Sequence, residues 1–358
     1  MKVTQQQFFK RQIMLSEIGK EGQQKLQDAK VLVVGCGGLG SPISVYLVFS
    51  RIGKLHLADF DQVDITNLHR QVFYSLEDVG HYKSECLAKF IQERAPFTKV
   101  GFSTEPITKI NGTELISQYD IIVDGTDSLP TKYLLNDICV MEGKPFVYGS
   151  LYKFDGYVST FNFLQEDGGY SANLRDVFSE MNIDIPNCEE AGTLNAIVGL
   201  IATAQVNEVL KIVTGIGKPL VNELLIYNTL QNTQLKIKLS SQMVKEKIAS
   251  IFKIENYFDA ACETQNPAWQ ISPAELKNKI GDANLKLIAV LPNLKLPFKV
   301  DQTFSIKEFD VNTFIFDQLK TYVMICQRGF NSYEVTKQVK EKYPTLDVLS
   351  LTGGISSY

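Results

Sequence analysis

Four glycines between two apolar runs are the first residues of this sequence that could hold a reactive ligand. The run VLVVGCGGLGSP has the glycine spacing of a phosphate-binding loop at Gly35, Gly37, Gly38 and Gly40. Glycines let the backbone approach a phosphate closely, and a helix that follows offers free N–H groups. Asp59 ends the next apolar run, where a carboxylate could bind a ribose hydroxyl. The loop predicts a nucleotide site, which an NAD-dependent oxidoreductase fits as well as any other enzyme does.

Polar and charged side chains soon after Asp59 change this interpretation. They are Asp61, Asn67, Arg70, Gln71 and Lys83. A redox cofactor gives no reason for an arginine and amide cluster at a pocket mouth, whereas Arg and Lys pair well with the oxygens of a triphosphate. The cluster therefore favours ATP. The alternative is a solvated loop over residues 67–71.

Asp127, in VDGTDS, ends a further apolar run and could hold Mg²⁺ through its carboxylate oxygens. The carboxyl ends of successive parallel strands meet at one edge of a sheet, so we expect Asp127 near the other polar side chains. The alternative is that Asp127 only caps the helix that follows it.

The elements that must position these residues alternate between strand and helix. Strands are predicted at 30–35, 54–61, 119–127 and 144–150, helices at 38–53, 84–96 and 193–214, an antiparallel strand at 156–163, and a hairpin at 222–239. This order predicts an α/β fold, a Rossmann-like, doubly wound and mostly parallel sheet.

The chain of 358 residues is long for one domain. We expect a nucleotide-binding domain over 1–240, a linker with one short helix over 241–267, and a small α/β domain over 268–358. In the last, Ser272 and Glu275 have the spacing of a helix capping box.

Composition and charge narrow the function classes. A net charge of −4 argues against general nucleic-acid binding. The most apolar stretch, AIVGLIATAQVNEVLKIV, carries polar residues and indicates a buried helix rather than a membrane span. The N-terminus has no apolar signal-peptide core, so a cytoplasmic protein is expected. Six scattered cysteines without a CxxC pair predict no disulfide scaffold.

Several motifs in order resemble the MoeB/ThiF/HesA family of ATP-dependent activating enzymes, relatives of the ubiquitin-activating enzyme. Within about residues 5–240 these are RQIML, VLVVGCGGLGSP, DFDQVDITNLHRQ, VGHYKSE, DGTDS and NCEEAGTLNAIVG. The resemblance implies that ATP adenylates the C-terminal glycine of a small ubiquitin-like sulfur-carrier protein ending in Gly-Gly, releasing pyrophosphate. Such carriers serve molybdopterin or thiamine synthesis.

The resemblance also implies roles for the clustered residues. Asp59 holds the ribose, Asp127 holds Mg²⁺, and the phosphates are surrounded by Asn67, Arg70, Gln71 and Lys83, which neutralise the leaving pyrophosphate. Arg11 matches an arginine that reaches into the partner subunit's site, which implies a homodimer. If the resemblance is set aside, the alternative is that Arg11 is an ordinary surface cation on an N-terminal helix.

Cys188, in IPNCEEAG, matches a reactive cysteine that takes the carrier as a thioester or acyl-persulfide. The adjacent Glu189 and Glu190 work against a reactive thiolate, so an inert thiol is the alternative. Many family members also carry two CxxC pairs that bind Zn²⁺. Residues 168–176 contain no cysteine and 240–262 contain only Cys262, so no zinc is predicted.

The C-terminal residues 322–358 resemble the end of a rhodanese-like domain, with a strand, a cysteine loop, a helix, a strand and Gly-Gly. Backbone N–H groups from Cys326 to Ser332 would curl around the sulfur and stabilise a thiolate or persulfide, and Arg328 would add positive charge. This implies a sulfur donor, either a persulfide protein or thiosulfate. The alternative is a degenerate, binding-only domain, since LKLIAVLPN lacks the usual Asp-Val-Arg.

Three other functions remain open from the sequence. An NAD-dependent oxidoreductase would bind NAD and catalyse no ATP–pyrophosphate exchange. A non-catalytic adaptor that docks a carrier would tolerate loss of Arg70 or Asp127. An enzyme of the same superfamily could adenylate a tRNA base or a peptide instead, although the rhodanese-like tail and the acidic charge disfavour this.

Overall fold

The computed structural model describes residues 4–179, 181, 192–255, 257, 266–291, 294, 296–306, 308–327 and 329–358. The chain divides into two compact units, Met1–Phe258 and Asp259–Tyr358. The domain and linker boundaries expected from the sequence stay a prediction.

The first unit is built on an eight-stranded sheet in the order β3-β2-β1-β4-β5-β6-β7-β8. Its strands are β1 (Lys30–Val34), β2 (Lys54–Ala58), β3 (Lys99–Ser103), β4 (Ile121–Asp124), β5 (Phe146–Tyr152), β6 (Asp155–Phe161), β7 (Glu223–Asn228) and β8 (Thr233–Lys238). The strands β3, β2, β1, β4 and β5 run parallel, and the last three join antiparallel. The predicted doubly wound, mostly parallel sheet is confirmed.

Helices cover both faces of this sheet because alternate residues of the buried strands point to opposite sides. Val31 and Val33 pack into one hydrophobic cluster, and Leu32 and Val34 into another. The helices of this unit are α1 (Gln5–Phe8), α2 (Lys10–Ile13), α3 (Gly19–Asp28), α4 (Gly40–Phe49), α5 (Lys83–Arg94), α6 (Lys109–Ser117), α7 (Leu129–Glu142), α8 (Leu174–Val177), α9 (Asn195–Thr214) and α10 (Lys245–Ile254).

Among the described residues, one helix, α9, would be long enough and apolar enough to cross a membrane, judged by length and composition alone. Its polar residues show why it lies in the core instead. Gln205 is fully buried and donates through Nε2 to the Asp124 carbonyl at 2.8 Å. Glu208 is buried as well and accepts from Thr160 Oγ1 and the Leu220 amide. These bonds tie α9 to the sheet, as expected of a buried helix.

The stretch expected to be a linker holds helix α10, which contacts α7 and buries Ile248. Beyond it, Tyr257 donates from its hydroxyl to Asp137 Oδ2 at 2.5 Å. The chain therefore stays attached to the first unit as far as Tyr257.

The second unit has a five-stranded parallel sheet in the order β11-β10-β12-β13-β9. Its elements are β9 (Gln270–Ile271), α11 (Pro273–Lys279), β10 (Leu285–Ala289), β11 (Gln302–Thr303), β12 (Thr321–Ile325), α12 (Phe330–Lys342) and β13 (Val348–Leu351). The capping box of Ser272 and Glu275 at the start of α11 is confirmed. This is the small α/β unit that the sequence predicts.

Candidate functional site

The glycine loop lies where the order of the parallel sheet reverses. It connects β1, which is paired with β2 on one side and β4 on the other, to helix α4. Gly35 has φ +87°, and a Cβ on Gly40 would lie 1.7 Å from the Gly35 carbonyl oxygen. These two positions therefore need glycine to make the turn itself. In open α/β sheets, the crevice at such a reversal is the usual ligand site.

The turn leaves backbone donors available at its tip. The amides of Gly37, Gly38 and Leu39 make no hydrogen bond within the described part of the chain. A Cβ on Gly37 would meet only Gln71 Nε2, at 3.4 Å, an ordinary contact distance. The protein itself would thus tolerate a side chain there, and the glycine keeps the space above the loop open. Free amides next to open space suit an anion such as phosphate.

Asp59 is held by the loop on one side and the following turn on the other. Its Oδ2 accepts from the Cys36 amide at 2.5 Å and its Oδ1 from the Asp61 amide at 2.8 Å. Burial raises the pKa of Asp59 to about 6, against the opposing charge of Lys83. The carboxylate stands at the loop, as the sequence predicts.

Lys83, at the start of α5, is buried, and its Nζ pairs with Asp61 Oδ2 at 2.8 Å. Burial lowers the pKa of this amine, but the charges of Asp59, Asp61 and Asp127 outweigh burial and raise it. Lys83 therefore carries a fixed positive charge beside three carboxylates. The charge of Asp127 acts on Lys83, so the two sequence motifs lie within electrostatic range of each other.

Asn67, Arg70 and Gln71 form a second group on the turn after β2. Asn67 Oδ1 accepts from Arg70 Nη2 at 2.8 Å and from Gln71 Nε2 at 3.3 Å. Gln71 is only 3% exposed, and its Oε1 has no hydrogen-bond partner among the described residues. A hydrogen-bond donor of a ligand bound beside the glycine loop could pair with this buried acceptor.

Arg70 also lines a cleft of about 210 Å³ with the glycine loop and α9. Its lining includes Gly38, Pro42, Val72, Asn195, Ala196, Val198 and Gly199. Of the cluster expected over residues 67–71, Arg70 is the member that lines this cleft.

Asp127 lies exposed on the turn between β4 and α7. It does not cap the helix: Ser128 is the N-cap residue, and its Oγ accepts from the Thr131 amide at 3.1 Å. The alternative role considered for Asp127 is therefore wrong. The described residues hold no group of three or more metal ligands. Mg²⁺ nevertheless commonly binds one or two carboxylates together with substrate phosphates, so a single aspartate suits it.

Sequence reasoning missed Tyr74. Its hydroxyl donates to the Cys36 carbonyl at 2.6 Å and is 3.3 Å from the Lys83 carbonyl. Tyr74 is buried, and the desolvation raises the pKa of its hydroxyl, which stays protonated as a donor. The residue ties the glycine loop to the start of α5, and an isolated tyrosine in a loop carries no signal for this.

The remaining candidate residues of the first unit are Arg11 and Cys188. Arg11 is exposed on the short helix α2, and its expected role in a partner subunit stays a prediction. Cys188 lies outside the described residues, as does Arg328 in the second unit.

Cys326 follows β12 and is buried in a ring of donors. Its Sγ accepts from the Gly329 amide at 3.1 Å and the Ser332 amide at 3.3 Å, and Ser332 Oγ lies 3.3 Å away. Ser350 Oγ, on β13, holds the Ser332 hydroxyl at 2.8 Å. Two amides converging on one sulfur stabilise an anion there, as the loop spacing predicts.

The two segments in which relatives were expected to carry cysteine pairs are joined here by hydrogen bonds. Arg175 makes a bidentate ion pair with Asp137 at 2.6–3.0 Å, and Tyr257 completes the contact. Asp176 Oδ1 accepts from the amides of Gln242 and Met243. We call this set the Asp137–Arg175 clasp. The prediction of no zinc rests on the missing cysteines, and the clasp shows what joins these segments instead.

Comparison with known sequences identifies a family over most of the chain. The ThiF family profile matches residues 9–247. The "Probable adenylyltransferase/sulfurtransferase MoeZ" of Mycobacterium tuberculosis is 32% identical over 366 residues, covering 98% of this chain and 92% of that protein. The "Sulfur carrier protein adenylyltransferase" of Thermus thermophilus is 38% identical over 231 residues, covering 64% of this chain and 85% of that protein.

Comparison with solved structures supports the fold. The crystal structure of E. coli MccB with MccA-N7isoASN superposes with a TM-score of 0.59 at 21% identity, covering 67% of this chain and 73% of that one. At this identity the likeness concerns the architecture alone.

Proposed function

The chain belongs to the ThiF family, and from this premise we propose that it adenylates the C-terminal glycine of a small ubiquitin-like sulfur-carrier protein with ATP and then directs sulfur to that carbon. The Mycobacterium tuberculosis relative, which matches nearly the whole chain, is named for both reactions. The observation that carries the proposal is the convergence of free loop amides, buried Asp59 and cationic Lys83 at the sheet reversal.

The residues present fit ATP. Asp59 has carboxylate oxygens for the ribose hydroxyls, and the amides of Gly37 and Gly38 have no partner in the described chain. Gln71 Oε1 is a buried acceptor in need of a donor. An NAD-dependent oxidoreductase, which the glycine loop alone left open, explains neither the lysine nor the arginine and amide cluster.

In the first reaction, a carboxylate oxygen of the carrier attacks the α-phosphorus of ATP. The bond to the bridging oxygen of the β-phosphate breaks, and pyrophosphate leaves with that electron pair. Lys83 and Arg70 stabilise the negative charge that grows on the leaving group. Asp127 would hold Mg²⁺, which when bound neutralises phosphate charge.

In the second reaction, the terminal sulfur of a Cys326 persulfide attacks the acyl carbon and AMP leaves. The resulting acyl disulfide joins the carrier to Cys326. A thiolate, for which we propose Cys188, then attacks the Cys326 sulfur, so the carrier departs as a thiocarboxylate and a disulfide remains between the two cysteines. An external thiol must reduce that disulfide before the next cycle. The persulfide comes from a sulfane donor, either a persulfide protein or thiosulfate.

We further propose that two copies of the chain form a homodimer in which Arg11 of each completes the other's nucleotide site. Its exposed position on α2 leaves it available to a second copy. A cytoplasmic location and a role in molybdopterin or thiamine synthesis complete the proposal.

The proposed function is tested by mass spectrometry of the carrier. The probe is a ubiquitin-like protein ending in Gly-Gly from the same genome, incubated with this protein, ATP, Mg²⁺, thiosulfate and a thiol reductant. We expect an acyl-adenylate without thiosulfate and a thiocarboxylate with it. A carrier of unchanged mass in both reactions, with every such candidate, contradicts the proposal.

The pH dependence follows from Asp59. Its carboxyl group has a pKa of about 6, so it is ionised above that pH and protonated below it. Ribose hydroxyls bind the ionised form best, so kcat/KM for ATP is expected to fall as the pH drops through about 6. Initial rates from pH 5 to 8 measure this. In Asp59→Asn the rate should be low throughout and this acid limb should vanish; an unchanged limb assigns it to another group.

A further inference from the structure

The turn that carries Asp127 is fixed by a buried ion pair that does not itself belong to the cleft. Asp124, the last residue of β4, is fully buried, and Lys132, in the first turns of α7, is 4% exposed. Lys132 Nζ lies 2.6 Å from Asp124 Oδ2 and 2.7 Å from the Gly149 carbonyl of β5. The amine therefore joins the end of β4 and the middle of β5 to the helix that follows the turn.

The remaining polar atoms of Asp124 shape the turn itself. Its Oδ1 accepts from the Thr126 amide at 3.0 Å and from Thr126 Oγ1 at 2.9 Å. Its carbonyl accepts from Gln205 Nε2. Each contact fixes the backbone immediately before Asp127, so the position of that carboxylate depends on groups that it does not touch.

The turn also abuts the glycine loop. A Cβ on Gly125 would lie 2.6 Å from the Gly35 carbonyl oxygen and 2.8 Å from Gly40 Cα. Because the two turns are in close contact, a displacement of one turn must also displace the other. A buried charge pair is costly to form, and a well-packed apolar pair of similar volume is often as stable. A contribution to folding stability is therefore a weak explanation for the Asp124–Lys132 pair.

We infer that Lys132, acting through Asp124, is a positioning residue that sets the Asp127 turn for magnesium-bound ATP. The inference rests on the proposed function, because the proposed function assigns Mg²⁺ to Asp127. Burial raises the pKa of Asp124, and the positive charge of Lys132 opposes this rise. The ionised form of Asp124 therefore depends on Lys132.

The test is calorimetric titration of the full chain with ATP, with and without Mg²⁺. Lys132→Met is expected to weaken ATP binding in Mg²⁺ by about tenfold to a hundredfold and to change binding without Mg²⁺ much less. Lys132→Arg, which keeps the charge, should recover most of the loss. The matched control is Arg175→Met, which breaks an equally buried ion pair of the clasp and should leave both affinities unchanged.

A double-mutant cycle separates positioning from general damage. Asp127→Ala should cost far less in the Lys132→Met background than in the native chain, because the carboxylate is already misplaced there. If Lys132→Met does not fold, Gln205→Leu, which removes the bond to the Asp124 carbonyl, takes its place in the same cycle. Additive losses, or an equal loss in Arg175→Met, overturn the inference. Failure of the native chain to bind ATP overturns the proposed function instead.

Discussion

Lys83→Met is expected to lower the rate of carrier-dependent ATP–pyrophosphate exchange by about a hundredfold to ten-thousandfold. Lys83 is the buried cation of the site, with its Nζ held 2.8 Å from Asp61 Oδ2 and its charge stabilised by three carboxylates. In a site with little water, one fixed charge aimed at a leaving group lowers the barrier by several kcal/mol. The loss should appear in kcat/KM for ATP at saturating carrier.

The matched control for this variant is Lys236→Met. Lys236 pairs with Glu223 at 3.1 Å on the exposed strand β8, so its removal costs a surface ion pair and nothing in the cleft. Its exchange rate should equal that of the native chain. Exchange at the native rate in Lys83→Met would contradict the role of this charge in adenylation.

Cys326→Ser is expected to abolish thiocarboxylate formation, by about a thousandfold or more, and to leave adenylation of the carrier intact. The serine keeps the size of the side chain and the two amide donors from Gly329 and Ser332. A hydroxyl, however, cannot carry sulfane sulfur, so the nucleophile is lost. The measurement is the mass of the carrier after incubation with ATP and thiosulfate.

The adenylation rate of the same Cys326→Ser sample is the internal control, because a folding defect would lower it as well. Thiocarboxylate formation at the native rate would assign the second unit a binding-only role. The persulfide step would then be wrong, whereas the adenylation step would stand.

The sequence was sufficient to predict which residues of the first unit lie together at the candidate site. The carboxyl ends of β1, β2 and β4 meet at one edge, so residues after these strands had to converge there. Asp59 contacts the glycine loop, and the charge of Asp127 helps to raise the pKa of Lys83, as expected from the order of the motifs. The ring of donors around Cys326 was likewise predictable, since Gly329 and Ser332 follow it within 6 residues.

Contacts between distant residues could not be predicted in the same way. Nothing in the sequence around Lys132 shows that its amine is buried against Asp124. Arg175 and Asp137 are separated by 38 positions, and their pairing depends on how α8 packs on α7. Such pairs have no sequence period, because tertiary packing alone brings them together.

In its first proposed reaction this chain activates a peptide carboxylate by transferring AMP to it from ATP. Carrier-dependent exchange of labelled pyrophosphate into ATP measures this step most directly. With a Gly-Gly-ended carrier of the same genome, label is expected in ATP, and none is expected when the terminal glycine is removed. Tight binding of NAD with no exchange for any such carrier would contradict the account.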